Sequence, residues 1–191
     1  MENVFLAPLS TTIDGLHIRP LRAGDGVEYT EVVNASYSTL SKWLNWPVEN
    51  MSVEQGEEMV RERGGAYLKG ERFPVCAWED GVLIGGSGYR GAVDFMTTGN
   101  VELGMWIRGD RAGQGLGTRF LRAMVQWGFE EWGWHRMKWE CDTRNRASSR
   151  TAEKAGFTLE GTTRSDMAED DGTRSSGLVY SILRSEWEDS R

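Results

Sequence analysis

The amino-acid sequence predicts an α+β fold built on one mixed, mostly antiparallel sheet. Three observations lead to this prediction. Strands and helices do not alternate regularly, because three strands in a row follow two helices and two more strands close the chain. Residues 101–142 instead show a strand–helix–strand pattern, whose two strands should be parallel. The 191 residues contain no linker, repeat or low-complexity segment, so we expect a single domain over residues 1–191.

Local signals predict the individual elements. Asp25 is a good N-cap, Ser52 and Gln55 form a capping box, and Asp80-Gly81 is a hairpin turn signal. Gly156 suits the position just after a helix. The predicted elements are a strand over 16–21; helices over 25–36, 40–46 (ended by Pro47) and 52–69; strands over 72–79, 82–90 and 101–107; a glycine loop over 109–117; a helix over 116–132 with Leu116, Phe120, Met124 and Trp127 on its apolar face; a strand over 135–142; a helix over 145–155; a strand over 157–163; a turn over 170–172; and a strand over 175–183.

Three glycines lie in one predicted strand, at Gly85, Gly86 and Gly88. Glycine within a strand marks a bulge or a close approach of another group to the backbone. We expect a bulge or tight packing here, with an approaching ligand as the alternative.

Composition excludes several classes of function. The net charge of −7 argues against sequence-independent nucleic-acid binding, and it suits either a basic acceptor or simple solubility. Cys76 and Cys141 lie in apolar runs and are expected to be free thiols. The first eight residues do not resemble a secretion signal, and no stretch approaches the ~18 apolar residues of a membrane span. We therefore expect a cytoplasmic protein that binds neither membrane nor nucleic acid; the sequence also shows no metal-ligand cluster.

The strongest chemical signal is the glycine loop Arg111-Ala-Gly-Gln-Gly-Leu-Gly-Thr118, which lies between a strand and a helix. Its glycines allow the backbone to approach an anion, and the helix N-terminus adds free N–H groups and a favourable dipole. This combination suits a pyrophosphate. A nucleotide P-loop is excluded because Gly117 stands where that motif has lysine. A dinucleotide-binding motif, with Asp142 as the ribose acid, stays open as an alternative.

The loop resembles the pyrophosphate loop of GNAT N-acetyltransferases, usually Gln/Arg-x-x-Gly-x-Gly/Ala. Gly115 and Gly117 match, while Ala112 departs from the first position. Further similarities cover about residues 14–188 and include the RimJ/RimL-like, ribosomal-protein-serine branch. They are Glu102–Ile107, which resembles the acetyl-CoA strand with Met105 where tyrosine is common; Asn145-Arg-Ala-Ser148; Ala152–Gly161; Leu40-Ser-Lys-Trp-Leu-Asn-Trp46; and Tyr180–Trp187.

This resemblance implies a three-layer fold, with helices on both faces of the sheet and a splayed parallel strand pair at its centre. It also implies an acetyl-CoA-dependent N-acetyltransferase that acts by direct attack in a ternary complex. The expected acceptor is the N-terminal α-amino group of a ribosomal-protein-like chain, and the alternative is a small amine such as a polyamine or antibiotic. A non-catalytic acyl-CoA-binding regulator and a nicotinamide-dependent oxidoreductase are the rivals. The branch further implies a homodimer.

Individual roles follow from the same resemblance. Ser148 would donate to the leaving thiolate, or would be a helix-surface serine. Glu102 is the first candidate for general base, with Glu160, Asp166, Glu169 or water as alternatives. Trp43 and Trp46 would line the acceptor pocket, or would belong to the core. The expected cofactor-binding residues are Met105, Trp106, Ile107, Ala112, Gly113, Gln114, Gly115, Leu116, Gly117, Thr118 and Asn145, where Asn145 could also cap its helix and the amides near Trp106 and Ile107 could bind the oxyanion.

One departure bears on the acceptor. Relatives in this branch often carry a His-Asp pair before the last strand, whereas this sequence has Arg174-Ser-Ser-Gly177. If that pair contacts the acceptor in relatives, the acceptor of this protein differs.

Overall fold

The computed structural model describes residues 6–91, 95–169 and 171–191. Eight strands form one sheet in the order β1-β2-β3-β4-β5-β6-β8-β7. Every neighbouring pair is antiparallel except β5 and β6, which are parallel, as the strand–helix–strand pattern predicts. The strands are β1 (Thr11–Ile13), β2 (Leu16–Arg19), β3 (Phe73–Glu79), β4 (Val82–Arg90), β5 (Asn100–Ile107), β6 (Arg136–Asp142), β7 (Thr158–Ala168) and β8 (Arg174–Leu183).

Helices cover both faces of the sheet. They are α1 (Gly26–Leu40), α2 (Val53–Leu68), the short α3 (Phe95–Thr98), α4 (Leu116–Trp127), α5 (Arg146–Lys154) and α6 (Arg184–Asp189). A 3-10 turn over Gly109–Arg111 precedes α4, and a π-helical turn over Gly128–Trp132 extends it. One apolar core joins α1 and α2 to the sheet, and a second joins α4 and α5 to the opposite face. The predicted three-layer fold is thus confirmed.

The N-terminus of α1 is capped differently from the prediction. Asp25 occupies the N-cap position, but its side chain does not bond the helix. Its carboxylate instead binds the Arg19 guanidinium at 2.7 Å, and this pairing contributes to the lowered pKa of Asp25 although burial raises it. Glu57 of α2 takes over the capping, because its carboxylate accepts hydrogen bonds from the amides of Gly24 and Gly26. This carboxylate therefore connects α2 to the start of α1.

Other boundaries also differ. The α1 helix runs on to Leu40 rather than ending near Ser36, so the separate helical piece before Pro47 is reduced to a turn. The strand β1 and the helices α3 and α6 were not predicted. The turn predicted over 170–172 is described only from Asp171, because residue 170 lies outside the described residues. The first five residues, part of the segment expected not to be a secretion signal, also lie outside them.

Several local signals are confirmed. Ser52 and Gln55 form both hydrogen bonds of the capping box at the start of α2. Gly156 follows α5 with a φ of +95°. The β3–β4 pairing shifts register beside Gly85, and a Cβ on Gly88 would lie 2.7 Å from the Phe73 carbonyl oxygen. The glycines of β4 thus mark both a bulge and tight packing.

The outer strand β7 is mostly exposed on both faces. Its pairing with β8 shifts between Thr163 and Met167, where Ser165 has a φ of +52°. Because β7 pairs only with β8, the backbone groups of its other side face outward.

Close packing of α1 against α2 gives the first testable prediction. A Cβ on Gly56 would overlap Thr30 Oγ1 and lie 3.1 Å from the Gly26 carbonyl oxygen. We expect Gly56→Ala to lower the free energy of unfolding by ~1–3 kcal/mol, because overpacked sites displace the backbone. Chemical denaturation measures the change.

Gly65→Ala is the matched control on the same helix, since a Cβ there meets nothing within 4 Å. Removing a helix glycine without a steric cost should raise stability by ~0.5–1 kcal/mol. Equal stability of the two variants would contradict the proposed helix contact.

Candidate active site

The parallel strands β5 and β6 separate partway along their length. They pair only from Asn100–Arg136 to Leu103–Trp139, and beyond that point β5 pairs with β4 alone. The Arg108 amide donates to the Ile84 carbonyl oxygen at 3.0 Å. Alternation along a strand then directs the amides of Met105 and Ile107 into the gap between the strands. The Trp106 amide faces β4, so of the two amides expected to bind an oxyanion only that of Ile107 faces the gap.

The glycine loop lies at the mouth of this gap. Gly113 and Gly115 adopt the left-handed conformation, with φ of +78° and +81°. The first intrahelical bond of α4 is from the Arg119 amide to the Gly115 carbonyl oxygen. The amides of residues 116–118 therefore have no partner within the helix and are available to an anion.

Gly117 borders the space beside β5. A Cβ on this residue would sit 3.7 Å from Ile107 Cγ1, 3.8 Å from Thr151 Oγ1 and 3.9 Å from Met105 Cε. These are ordinary van der Waals distances, so glycine is not required by the protein's own packing. The missing side chain keeps open the passage from the loop to the gap, which fits a narrow chain such as a pantetheine arm.

Two arginines that the sequence did not indicate as site residues, Arg111 and Arg119, bracket the loop. Arg111 and Arg119 both pair with Glu79 at the end of β3. These pairs, with Arg119 contributing most, lower the pKa of Glu79. Arg119 Nε is buried and makes no hydrogen bond with the described residues. A cavity of about 280 Å³ is lined by Glu79, Arg111, Gln114, Gly115, Leu116 and Arg119.

Ser148 lies beside the point where the strands part. Its hydroxyl oxygen accepts a hydrogen bond from Trp139 Nε1 at 3.0 Å, and Trp139 belongs to the last paired position of β6. Because the oxygen is the acceptor in that bond, the hydroxyl proton is directed to another partner. Burial raises the pKa of the Cys141 thiol, and a hydrogen bond from Ser148 partly offsets the rise, so the hydroxyl already donates to a sulfur atom. The sulfur of a ligand in the gap would meet the same hydroxyl.

Asn145 caps α5, as one of its two predicted roles requires. Its Oδ1 accepts a hydrogen bond from the Ser148 amide at 3.1 Å. The cap fixes the first turn of α5 and with it the position of Ser148. The alternative role, holding pantetheine, is not tested by this bond.

Glu102 is poorly suited to act as a base. Its carboxylate binds Arg90 and lies 3.1 Å from Lys138 Nζ. Burial raises the pKa of Glu102, but these two cations outweigh it and the pKa is lowered. A general base working near neutral pH needs a raised pKa, so this environment favours a structural ion pair.

The other candidate bases are also occupied or remote from the gap. Glu160 binds the Arg136 guanidinium through both oxygens, which together with Ser181 lowers its pKa to about 2. Glu169 pairs with Arg144 at 2.6 Å. Asp166 is exposed on β7.

The two branch-type tryptophans lie in different surroundings. Trp46 is partly buried, and its ring centroid is 5.8 Å from that of Trp106 and 6.4 Å from that of Tyr29. Trp43 is 44% exposed. Trp46 therefore joins the α1–α2 core next to β5, whereas Trp43 remains on the surface.

Within the described residues, no group of three His, Cys, Asp or Glu side chains could hold a metal ion. Cys76 and Cys141 are both free thiols, as predicted. No helix of the described ranges is long and apolar enough to cross a membrane.

Comparison with known proteins gives concordant results. Residues 16–158 match the family model described as acetyltransferase (GNAT) domain. The chain is 28% identical over 178 residues to YdaF of Bacillus subtilis (strain 168), whose name assigns it provisionally to the ribosomal N-acetyltransferases; the match covers 90% of this chain and 92% of YdaF.

Two solved structures share the fold. RimL, the ribosomal L7/L12 α-N-protein acetyltransferase in complex with coenzyme A, has a TM-score of 0.80 at 18% identity, over 91% of this chain and 96% of RimL. The microcin C7 self-immunity acetyltransferase MccE, in complex with acetyl-CoA and AMP, has a TM-score of 0.79 at 17% identity, over 90% of this chain and 93% of MccE.

The open space at Gly117 gives a prediction about ligand binding. Gly117→Val should fold normally but lose the stabilisation by coenzyme A, because its side chain would fill the passage between α4 and β5. The measurement is the melting temperature with and without ligand, since a ligand that binds only the folded state raises it.

Gly161→Val on β7 is the matched control, because a Cβ there meets nothing within 4 Å and the residue lies outside the gap. It should keep the full response to coenzyme A. An unchanged coenzyme A affinity in folded Gly117→Val would show that the loop does not belong to the binding site.

Proposed function

Because the chain belongs to the GNAT family of acetyltransferases, we propose that its acceptor is the N-terminal α-amino group of a ribosomal-protein-like chain, which attacks directly in a ternary complex. As a member of this family it is an acetyl-CoA-dependent N-acetyltransferase. The names of YdaF and RimL, which refer to ribosomal proteins, support the acceptor class. The observation that carries the proposal is the gap between β5 and β6, with free amides on one strand and Ser148 beside the other.

The described residues fit acetyl-CoA along the whole cleft. The pyrophosphate would lie on the loop from Ala112 to Thr118, where the free amides at the start of α4 face an anion. The pantetheine arm would continue past Gly117 and bind the free edge of β5 at Met105 and Ile107, as an added strand does. When bound, acetyl-CoA supplies a thioester next to Ser148.

The residues of the chain would then act in sequence. An α-amino group has an ordinary pKa of ~7.7–8.0, so a neutral fraction exists at pH 7 and water suffices to take its proton. Of the two amides that face the gap, that of Met105 lies nearer the paired end beside Ser148. It would donate a hydrogen bond to the carbonyl oxygen as charge develops there, while the Ile107 amide binds the pantetheine arm. As the C–N bond forms and the C–S bond breaks, the Ser148 hydroxyl would donate to the departing sulfur. Trp139 would hold that hydroxyl in place through its indole N–H. Glu102 keeps its ion pairs.

A small amine is the second candidate acceptor, and one observation favours it. Arg174, in the stretch that replaces the branch's His-Asp pair, donates to the carbonyl oxygens of Ser165 and Asp166 within its own hairpin. An acceptor therefore meets neither the imidazole nor the carboxylate that the His-Asp pair of the branch would present. MccE, whose structure contains AMP, shares the fold.

Turnover with a panel of acceptors tests the function. Peptides beginning with serine, alanine or methionine, polyamines and aminoglycosides are each incubated with acetyl-CoA, and free thiol is measured. We expect thiol release with peptides and acetylation of the α-amino group by mass spectrometry. Release only with small amines would favour the second candidate; binding of acetyl-CoA without any turnover would favour a regulator.

Ser148→Ala tests the mechanism. The hydroxyl would stabilise the sulfur mainly in the transition state, so its loss should lower kcat ~10–100-fold with acetyl-CoA affinity nearly unchanged. Cys141→Ala is the control for disturbance of the Ser148 surroundings and should retain activity. A kcat of Ser148→Ala within a factor of two of the wild type would make Ser148 a structural residue.

The branch also supports a cytoplasmic homodimer, which we include in the proposal. The naming of YdaF as a ribosomal enzyme supports the compartment. Light scattering of the purified chain decides the oligomeric state.

A further inference from the structure

The arginine Arg63 on α2 differs from the other arginines of the chain. It is partly buried, and no carboxylate of the described residues lies within 4 Å of it. The other partly buried arginines all pair with Asp or Glu: Arg19, Arg108, Arg111, Arg119, Arg136 and Arg184. Partial burial of a guanidinium weakens its hydration, so the lack of a counter-charge makes Arg63 an exception that requires an explanation.

Aromatic rings hold the guanidinium of Arg63 in place. Its central carbon lies 4.5 Å from the ring centroid of Trp46 and 5.4 Å from that of Tyr29. Arg63 Nη1 donates to the Tyr29 hydroxyl, which in turn donates to Met59 Sδ. Burial raises the pKa of Tyr29, so the phenol stays protonated and leaves the positive charge of Arg63 uncompensated.

This fixed cation retains unused donors. Of the five N–H groups of a guanidinium, one has an acceptor among the described residues. None of its nitrogens is a buried atom without a partner, so the free donors reach solvent. Rings on its faces restrict the rotation of the side chain and prearrange its edge for a planar anion.

The position of Arg63 connects it to the acceptor. Met105 and Ile107 of β5 point toward α4 and α5, the face on which the loop and Gly117 lie, whereas Trp106 points toward α1 and α2. With acetyl-CoA on the first face, the amine must reach the thioester from the second. Trp46 packs between Trp106 and Arg63 on that second face.

We propose that Arg63 is a specificity-determining residue that binds a carboxylate of the acceptor, close to the amine that is acetylated. The inference rests on the proposed function for the identity of the reaction, but not for the identity of the acceptor. An extended peptide rises ~3.3 Å per residue, so the distance from the amine to its carboxylate increases stepwise from the second residue to the fourth. A small amine that carries its own carboxylate would reach Arg63 as well.

Peptide pairs that differ by one atom test the proposal. Seryl peptides with Asp or Asn at position two, three or four are titrated calorimetrically into the protein saturated with coenzyme A. We expect the Asp peptide of at least one pair to bind ~10–100-fold more tightly than its Asn partner, as charged hydrogen bonds do. Arg63→Gln should abolish that preference, and Arg63→Lys should retain part of it.

Arg61→Gln is the matched control, because it removes the same charge from the exposed surface of the same helix. It should keep the preference for Asp, and both glutamine variants should keep the melting temperature shift with acetyl-CoA. A wild type without preference for Asp at any position, or a preference that survives Arg63→Gln, overturns the proposal.

Failure of the proposed function gives a different result. If no peptide binds or is acetylated, the peptide acceptor class is wrong, and the same titration is made with amino acids and their amides. A preference for the free carboxylate that Arg63→Gln removes supports the role of Arg63 with a small amine acceptor. Equal binding of acid and amide, or binding of neither, overturns it.

Discussion

The separation of β5 from β6 after Leu103 and Trp139 is the constraint on which the rest of the site depends. Both strands keep a partner on their other side, since β5 pairs with β4 and β6 pairs with β8. The sheet therefore stays continuous, and yet a short row of backbone amides within it has no partner. Unpaired amides in a protein interior are costly, so the gap is a place that a ligand with matching acceptors stabilises.

The ends of the separating strands place the chemical groups. The chain leaves β5 through the 3-10 turn and the glycine loop into α4, and it leaves β6 into α5. The N-termini of both helices consequently open on the same gap. Trp139 connects the sheet to α5, because its ring is buried in the core while its indole nitrogen orients Ser148. A change in the angle between the strands would move the loop amides and the serine together.

Sequence signals sufficed where a feature is local. The capping box at Ser52, the turn after Glu79 and the glycine after α5 depend on residues only a few positions apart, and all three are confirmed. The Asp25 prediction was wrong about the hydrogen bond, because the Asp25 carboxylate is held by the Arg19 guanidinium and the Arg22 amide. A distant residue, Glu57, binds the Gly26 amide at the start of α1 instead.

At the site, too, local features follow from the sequence and long-range contacts do not. The loop and the parallel pair follow from spacing, whereas the environment of Glu102 depends on residues of β4 and β6 that only the folded sheet brings together. The pairing of Arg111 and Arg119 with Glu79 is likewise invisible in sequence, although two arginines bracketing a glycine loop could have indicated an anion site. Resemblance identified the chemistry, and three-dimensional contacts separate the groups that can perform it from those that cannot.

The break in β7 has a consequence for the behaviour of the chain in concentrated solution. An outer strand of eleven residues with a regular row of free amides would be a template on which strands of other molecules could add. Register shifts between Leu159 and Gly161 and between Thr163 and Met167 interrupt that row, and the left-handed Ser165 lies within the second shift. The charged side chains of Arg164 and Asp166 flank this residue. Interruptions of this kind disfavour the addition of another strand at the edge.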